Sequence, residues 1–425
     1  MKATEWLRVL ERGTSSDFTR LYANDPTAVD RFTAAIRAFS ARYGEDRDIA
    51  LFSVPGRSEI AGNHTDHNHG CVLAGAIDRD VIVVASKNED GCLRVQSEGY
   101  REIVVPLDKA DDPRHFEAAC SSALVAGVAG GFLARGYAVG GFDAYTTTRV
   151  LKGSGLSSSA AFEVMIGTVM NHLYNGGTVK APEIAKIAQY AENVYFGKPS
   201  GLMDQMACAV GGFVFIDFAD PDRPVIEPID FSLTEAGYAL AIVNTGGSHS
   251  DLNDDYASVP AEMRAVASYF GREVLRGVTE DEILGNAAIL RRTVGDRAIL
   301  RALHFVREND RVLRQAAALR AGDIPTFLAG ELASGRSSFE YLQNVYTNKN
   351  VREQGLSLAL AVTEGALAGR DCAWRVHGGG FAGTIQTFVK RELAGSYAAL
   401  MDSVFGKDAC MLLSIRPEGA VRIAP

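Results

Sequence analysis

Leu151 to Met165 reads LKGSGLSSSAAFEVM, and the fold turns on how that stretch is understood. Gly153 and Gly155 are followed at once by Ser157, Ser158 and Ser159, then by Ala160 and Ala161. Upstream, FDAYTTTRV has the β-branched and aromatic content of a strand. Downstream, Phe162, Val164, Met165, Val169 and Leu173 recur at helical spacing from Ala160 on. The glycines therefore sit where a strand turns into a helix, a place where unpaired N–H groups and the helix dipole favour an anion. Glycine admits close approach of a phosphate, and serine hydroxyls add hydrogen bonds or ligate magnesium. The spacing is neither that of a Walker A loop nor of GxGxxG. A serine-capped turn of small residues is the competing reading, and this stretch alone leaves both open.

The 425 residues allow two or three domains with ample core. With 43 basic and 52 acidic residues the net charge is −9, which argues against a nucleic-acid or anionic-membrane binder. The N-terminus is charged and amphipathic, without an apolar signal core. The most apolar stretch, ALVAGVAGGFLA from Ala123, is too short and glycine-rich to span a bilayer. Six cysteines lie scattered, with no CxxC pair, as in a chain kept in a reducing, cytoplasmic compartment.

Residues 1 to about 45 have helical spacing broken at Asp25-Pro26. Ile49 to Val54 reads as a short strand ended by Pro55-Gly56. PGRSEIAGNHTDHNHG, Pro55 to Gly70, then reads as a polar loop between strands, the setting in which functional groups concentrate. His64, Asp66, His67 and His69 are residue types that suit zinc. Asp and Asn equally suit a sugar or other polar substrate, and the same residues also serve as local caps. Further on, strands are expected at 80–86, 93–97, 101–105, 212–218 and 238–244, with helices at 115–133 and 182–196 and a new helix from Leu202. Asp204 falls in the first turn of that helix, where the dipole favours a carboxylate. Glu192, twelve residues earlier, either converges with it or faces solvent. The 261–335 region has a helical pattern with mixed charges, and RVHGGGFAG (375–383) is a glycine-rich loop entering a strand, TIQTFV.

Three loops in this order carry a resemblance. PGRSEIAGNHTDHNHG resembles the galactokinase signature GR-x-N-x-IGEHTDY-x-x-G, and LKGSGLSSSAAFEV is similar to the second motif of the GHMP kinases, with GLSSSAA intact. HGGGFAGTIQTFV is similar to their third motif, GGGFGG. Between them GLMDQ is similar to the family's GIMDQ, and NTGGSHSDLNDDY lies where the family has N-S-x-x-x-H…EY. The resemblance implies an α+β, two-domain GHMP-kinase fold with the active site in the cleft between domains. The halves expected on that basis are residues 1–218 and 219–425.

The same resemblance implies transfer of the ATP γ-phosphoryl group to the anomeric hydroxyl of galactose, with magnesium. It assigns Asp204 as the catalytic carboxylate and Arg57 as its partner. It gives Asn63, His64, Asp66, Gly201 and Tyr256 to the sugar, and Gly153, Ser154, Gly155, Leu156, Ser157, Ser158, Ser159 and Ala160 to ATP. Ser159 and Glu192 fall at the metal positions. The implied partners are a small sugar and ATP, with neither nucleic acid nor membrane. Asn63 replaces the signature's Glu, His67 its Tyr, Leu151 a usual Pro and Ala382 a Gly. A neutral acceptor at 63 keeps open another sugar, such as an amino sugar, pentose or uronate. A sugar sensor without turnover is the alternative class, against which the intact Asp204, Arg57, Ala160 and Ala161 speak.

Overall fold

The structure, a computed structural model, describes residues 1–13, 15–22, 25–150, 155–198, 200–247 and 252–425. Twelve strands among the described residues order the chain: β1 (Ala50–Ala61), β2 (Cys71–Lys87), β3 (Cys92–Ser97), β4 (Ile103–Pro106), β5 (Phe142–Thr148), β6 (Phe213–Asp217), β7 (Val225–Ile229), β8 (Tyr238–Asn244), β9 (Ala373–His377), β10 (Thr384–Lys390), β11 (Cys410–Leu413) and β12 (Val421–Ile423). The first sheet runs β12-β1-β2-β5-β3-β4, with β6 joined to β2 and β7 to β6. Among these strands only the β3–β5 pairing is parallel. The second sheet runs β11-β8-β10-β9 and is antiparallel throughout. Mostly antiparallel sheets faced by helices make this an α+β architecture.

β1 is buried on both faces, and alternation divides its side chains between two cores. Leu51 packs with Trp6, Phe32, Ile36 and Phe39 of the N-terminal helices. Phe52 and Val54 face the main core, built against helices Ser121–Ala134, Ser158–Tyr174, Ala181–Tyr190 and Met203–Val210. Each large apolar side chain so buried contributes about 1.5–3 kcal/mol. Helices Gly355–Leu367 and Arg391–Phe405 cover the second sheet, and Asn253–Tyr269 packs on Asp296–Ala321. No helix of the described residues is long and apolar enough to cross a membrane.

Three local expectations are corrected. Asp25-Pro26 starts a helix rather than merely breaking one: the Asp25 carboxylate caps Thr27 N–H, and Pro26 takes the first turn of Pro26–Tyr43. β1 does not stop at Pro55-Gly56. It continues to Ala61, absorbing the proline in a register shift between Pro55 and Arg57. Arg57, Ser58 and Glu59 are thus strand residues, and only 62–70 is loop. Arg375 and His377 likewise belong to β9 rather than to the glycine loop that follows. Gly153 and Ser154 lie outside the described residues.

Candidate active site

The end of β1, the Gly155–Ser157 turn and the first turn of Met203–Val210 meet at one point. Arg57 Nε and Nη2 donate to the two Asp204 carboxylate oxygens at 2.6 and 2.7 Å, a bidentate pair. Arg57 Nη1 donates to the Gly155 carbonyl at 2.5 Å, and Arg57 N–H to the Leu156 carbonyl at 3.2 Å. Ser157, the residue before helix Ser158–Tyr174, donates its hydroxyl to Asp204 as well. Burial pushes the Asp204 carboxyl up, but Arg57 and Ser157 outweigh it and hold it below the usual carboxylate range. Burial pulls Arg57 down, and Asp204 more than restores it. The result is a fixed anion and cation beside a helix N-terminus.

Gly155 is required where it stands. Its φ is +74°, and a Cβ there would meet His377 Nδ1 at 3.1 Å. Ser158, Ser159 and Ala160 form the first turn of the helix, where free N–H groups gather, while Leu156 is buried beneath them.

In the 62–70 loop, Asp66 opens a 3-10 turn and its Oδ1 accepts from His67 N–H at 2.9 Å. A Cβ on Gly201 would lie 2.8 Å from Asp66 Oδ2, so the GLMDQ segment and this loop are brought into contact. His64 Nε2 lies 3.0 Å from the Gly379 carbonyl; burial, with His67 nearby, pushes its imidazole down to about 4. Tyr256 donates to the Gly380 carbonyl at 2.7 Å. The glycine loop after β9 is thereby tied to the loop after β1. Among the described residues no group of three or more His, Cys, Asp or Glu is placed to hold a metal.

Asn63 departs from expectation. It is fully buried, and its side chain is committed within the protein. Nδ2 donates to the Gly378 carbonyl at 2.6 Å and to Glu59 Oε1 at 3.1 Å, while Oδ1 accepts from Asn344 at 2.8 Å and Ser338 at 3.3 Å. An amide so engaged has no capacity left for a sugar hydroxyl.

Glu192 lies in a π-helical turn, Ala191–Phe196, at the end of helix Ala181–Tyr190. Gln205, the residue after Asp204, donates to Glu192 at 2.8 Å and to Glu163 at 3.2 Å; Lys198 donates to Glu192 at 2.7 Å. Glu163 Oε1 is buried without a partner, and burial and the Glu192 charge push the Glu163 carboxyl well up. Two carboxyl groups joined through Gln205, one with an orphaned oxygen, fit a hard divalent cation, whose charge would favour their ionised forms and which would take its other ligands from phosphates and water. Sequence reasoning misses Glu59, Glu163, Gln205 and Arg375. Gln205 has a signal, in GLMDQ, and Glu59 has one too, since the galactokinase signature carries Asn there.

Residues 37–87 match the family model for the galactokinase galactose-binding signature, and residues 122–212 that for the GHMP kinases N-terminal domain. A galactokinase of Streptomyces coelicolor is 33% identical over 365 residues, 84% of this chain and 88% of that protein. The chain belongs to the galactokinase family. A galactokinase of Homo sapiens is 30% identical over 408 residues, 93% of this chain and 97% of that protein. Among solved structures, Lactococcus lactis galactokinase complexed with galactose matches with a TM-score of 0.76 and 23% identity, covering 93% and 99% of the two chains. A mevalonate kinase matches at 0.61 and 14% identity, covering 87% and 99%. The fold is that of the GHMP kinases, and Arg57 and Asp204 are this family member's paired cation and anion.

Proposed function

We propose that this chain transfers the γ-phosphoryl group of ATP to the anomeric hydroxyl of galactose, giving galactose 1-phosphate and ADP. The bidentate Arg57–Asp204 pair beside a helix N-terminus carries the reading. A sugar hydroxyl is a poor nucleophile at neutral pH; Asp204, ionised by Arg57, accepts its hydrogen bond and then its proton as transfer proceeds. Arg57 offsets charge gathering on the transferred group. The 155–160 turn binds the ATP phosphates, and phosphoryl transfer needs little beyond such positioning and neutralisation. Ser159 and Glu192 would hold Mg2+, which would neutralise phosphate charge; the orphaned oxygen of Glu163 supports a cation there. His64, Asp66, Gly201 and Tyr256 line the sugar side.

We divide the chain near residue 218; the two sheets support this, although β7 and β12 of the later half return to the first. Six free cysteines support a reducing, cytoplasmic setting. The test is ADP release from MgATP against galactose, N-acetylgalactosamine, glucose, mannose, arabinose and galacturonate. Turnover on galactose above the others is expected. Preference for another sugar of the panel removes galactose as the substrate while keeping the chemistry, and galactose binding without ADP release removes catalysis in favour of a sensor.

A further inference from the structure

β1 places Glu59 two residues beyond Arg57, so strand alternation sets both side chains on one face. Glu59 is 7% exposed, and its Oε1 is doubly occupied: Arg375 Nη2 donates at 2.9 Å and Asn63 Nδ2 at 3.1 Å. Its Oε2 takes no hydrogen bond from the described residues, yet it is not sealed among the partnerless buried atoms. Arg57 and His64 both lie near enough for the carboxylate charge to act on them. Asn63 spends its amide within the protein, on Glu59, Gly378, Asn344 and Ser338.

We propose that Glu59, oriented by Arg375 and Asn63, is the carboxylate that accepts a hydrogen bond from a hydroxyl of the bound sugar, and that Asn63 is a positioning residue. The proposal rests on the sugar-kinase reading above and names the residue that recognises the substrate. Two observations, one of geometry and one of sequence, support it together. First, only a donor at 63 is compatible with its surroundings: a carboxylate there would set negative charge against both the Gly378 carbonyl and Glu59. Second, the galactokinase signature has Asn at 59 and Glu at 63, and this chain has the reverse. The carboxylate has not been lost from the site; it has changed places with the carboxamide. Arg375, fully buried, keeps it ionised, and an ionised acceptor makes the stronger bond to a hydroxyl.

The experiment is a coupling measurement by calorimetry on the full chain. Wild type, Glu59→Gln and Asn63→Asp are each titrated with galactose, with the monodeoxy galactoses (each lacking one non-anomeric hydroxyl) and with MgATP. Glu59→Gln is expected to weaken galactose about tenfold or more while leaving one deoxy analogue unaffected and ATP within about twofold. Asn63→Asp is expected to lose the same hydroxyl at pH 8 and regain it as the pH falls, because the introduced carboxyl, once protonated, donates again to Glu59. It carries the comparison if the Glu59→Gln chain does not fold. Uniform weakening across galactose and every deoxy analogue, or none, overturns the assignment and leaves Glu59 a structural group. Wild type that binds galactose without turning it over defeats the kinase reading while the coupling still decides Glu59. Wild type that binds no sugar overturns both.

Discussion

Arg57 and Asp204, 147 residues apart in the chain, face each other through two N–H···O bonds whose geometry admits no freedom of rotation. A planar cation gripping both carboxylate oxygens fixes the direction of the remaining lone pairs, one of which Ser157 also occupies. Asp204→Asn keeps the shape but sets an amide N–H against a guanidinium N–H and removes the proton acceptor. It is expected to lower kcat by about a thousandfold or more while galactose affinity stays within a few-fold. Retained turnover in single-turnover kinetics would remove Asp204 from the chemistry.

The same pair sets the pH dependence. Burial alone raises the Asp204 carboxyl; Arg57 reverses that. In wild type the acid limb of kcat/KM that reports Asp204 therefore lies below the ordinary carboxylate value of about 4, and this group leaves the rate flat from about pH 5 to 8. Replacing Arg57 with Gln removes the cation but not the burial. The limb should then move up, above the ordinary carboxylate value, along with a fall in kcat of about a hundredfold. A limb that stays put in the variant would mean that Arg57 does not control the charge of Asp204.

Two glycines distinguish the sites proposed for the two substrates. Gly155 has a positive φ and touches His377, so Gly155→Ala meets both backbone strain and a crowded imidazole, at a cost of about 1–2 kcal/mol. ATP KM should rise about tenfold, with the sugar KM little changed. Gly201 has no such backbone demand, but a methyl group there lies 2.8 Å from Asp66 Oδ2. Because that contact is the end of a side chain, the variant should stay folded, raise the sugar KM and spare ATP. Initial-rate kinetics in both substrates distinguish the two outcomes; a rise in the wrong KM contradicts the assignment of that glycine.

The serine turn is legible because its signal is local: glycines, serines and alanines between a strand pattern and a helix pattern. The extent of β1 is not. Pro-Gly reads as a turn, yet here the proline sits at a bulge and Gly56 is glycine because a Cβ would strike the Leu156 carbonyl and Val150, both at 2.9 Å. That close approach is what carries Arg57 under the serine turn, and it is a property of two segments about a hundred residues apart. Glu59 and Arg375 are illegible for the same reason, since neutralisation across 316 residues has no local signature. Asn63 misleads because a polar residue in a glycine-bounded stretch looks solvent-facing, whereas its neighbours Gly378, Asn344 and Ser338 come from the far half of the chain.

His377 supplies the last prediction. It is buried between the hydroxyls of Ser58, at 3.1 Å, and Thr384, at 2.9 Å, and so joins β1 to β9 and β10. Burial, together with the nearby Arg57 cation, pushes its imidazole down to about 3, against about 6.5 in an unfolded chain. The folded protein therefore excludes a proton that the unfolded chain accepts. The stability contributed by the neutral ring is complete above about pH 6.5 and is lost as the pH falls from there toward 3, by up to about 1.4 kcal/mol per unit. His377→Gln retains a donor and an acceptor for the two hydroxyls but has nothing to titrate. Its melting temperature should be lower than wild type at pH 8, and should fall less steeply between about pH 6.5 and 4. Because His64 and His304 are also buried with lowered values, part of the slope will remain. Parallel curves for the two proteins would show that His377 is protonated alike in the folded and unfolded chains.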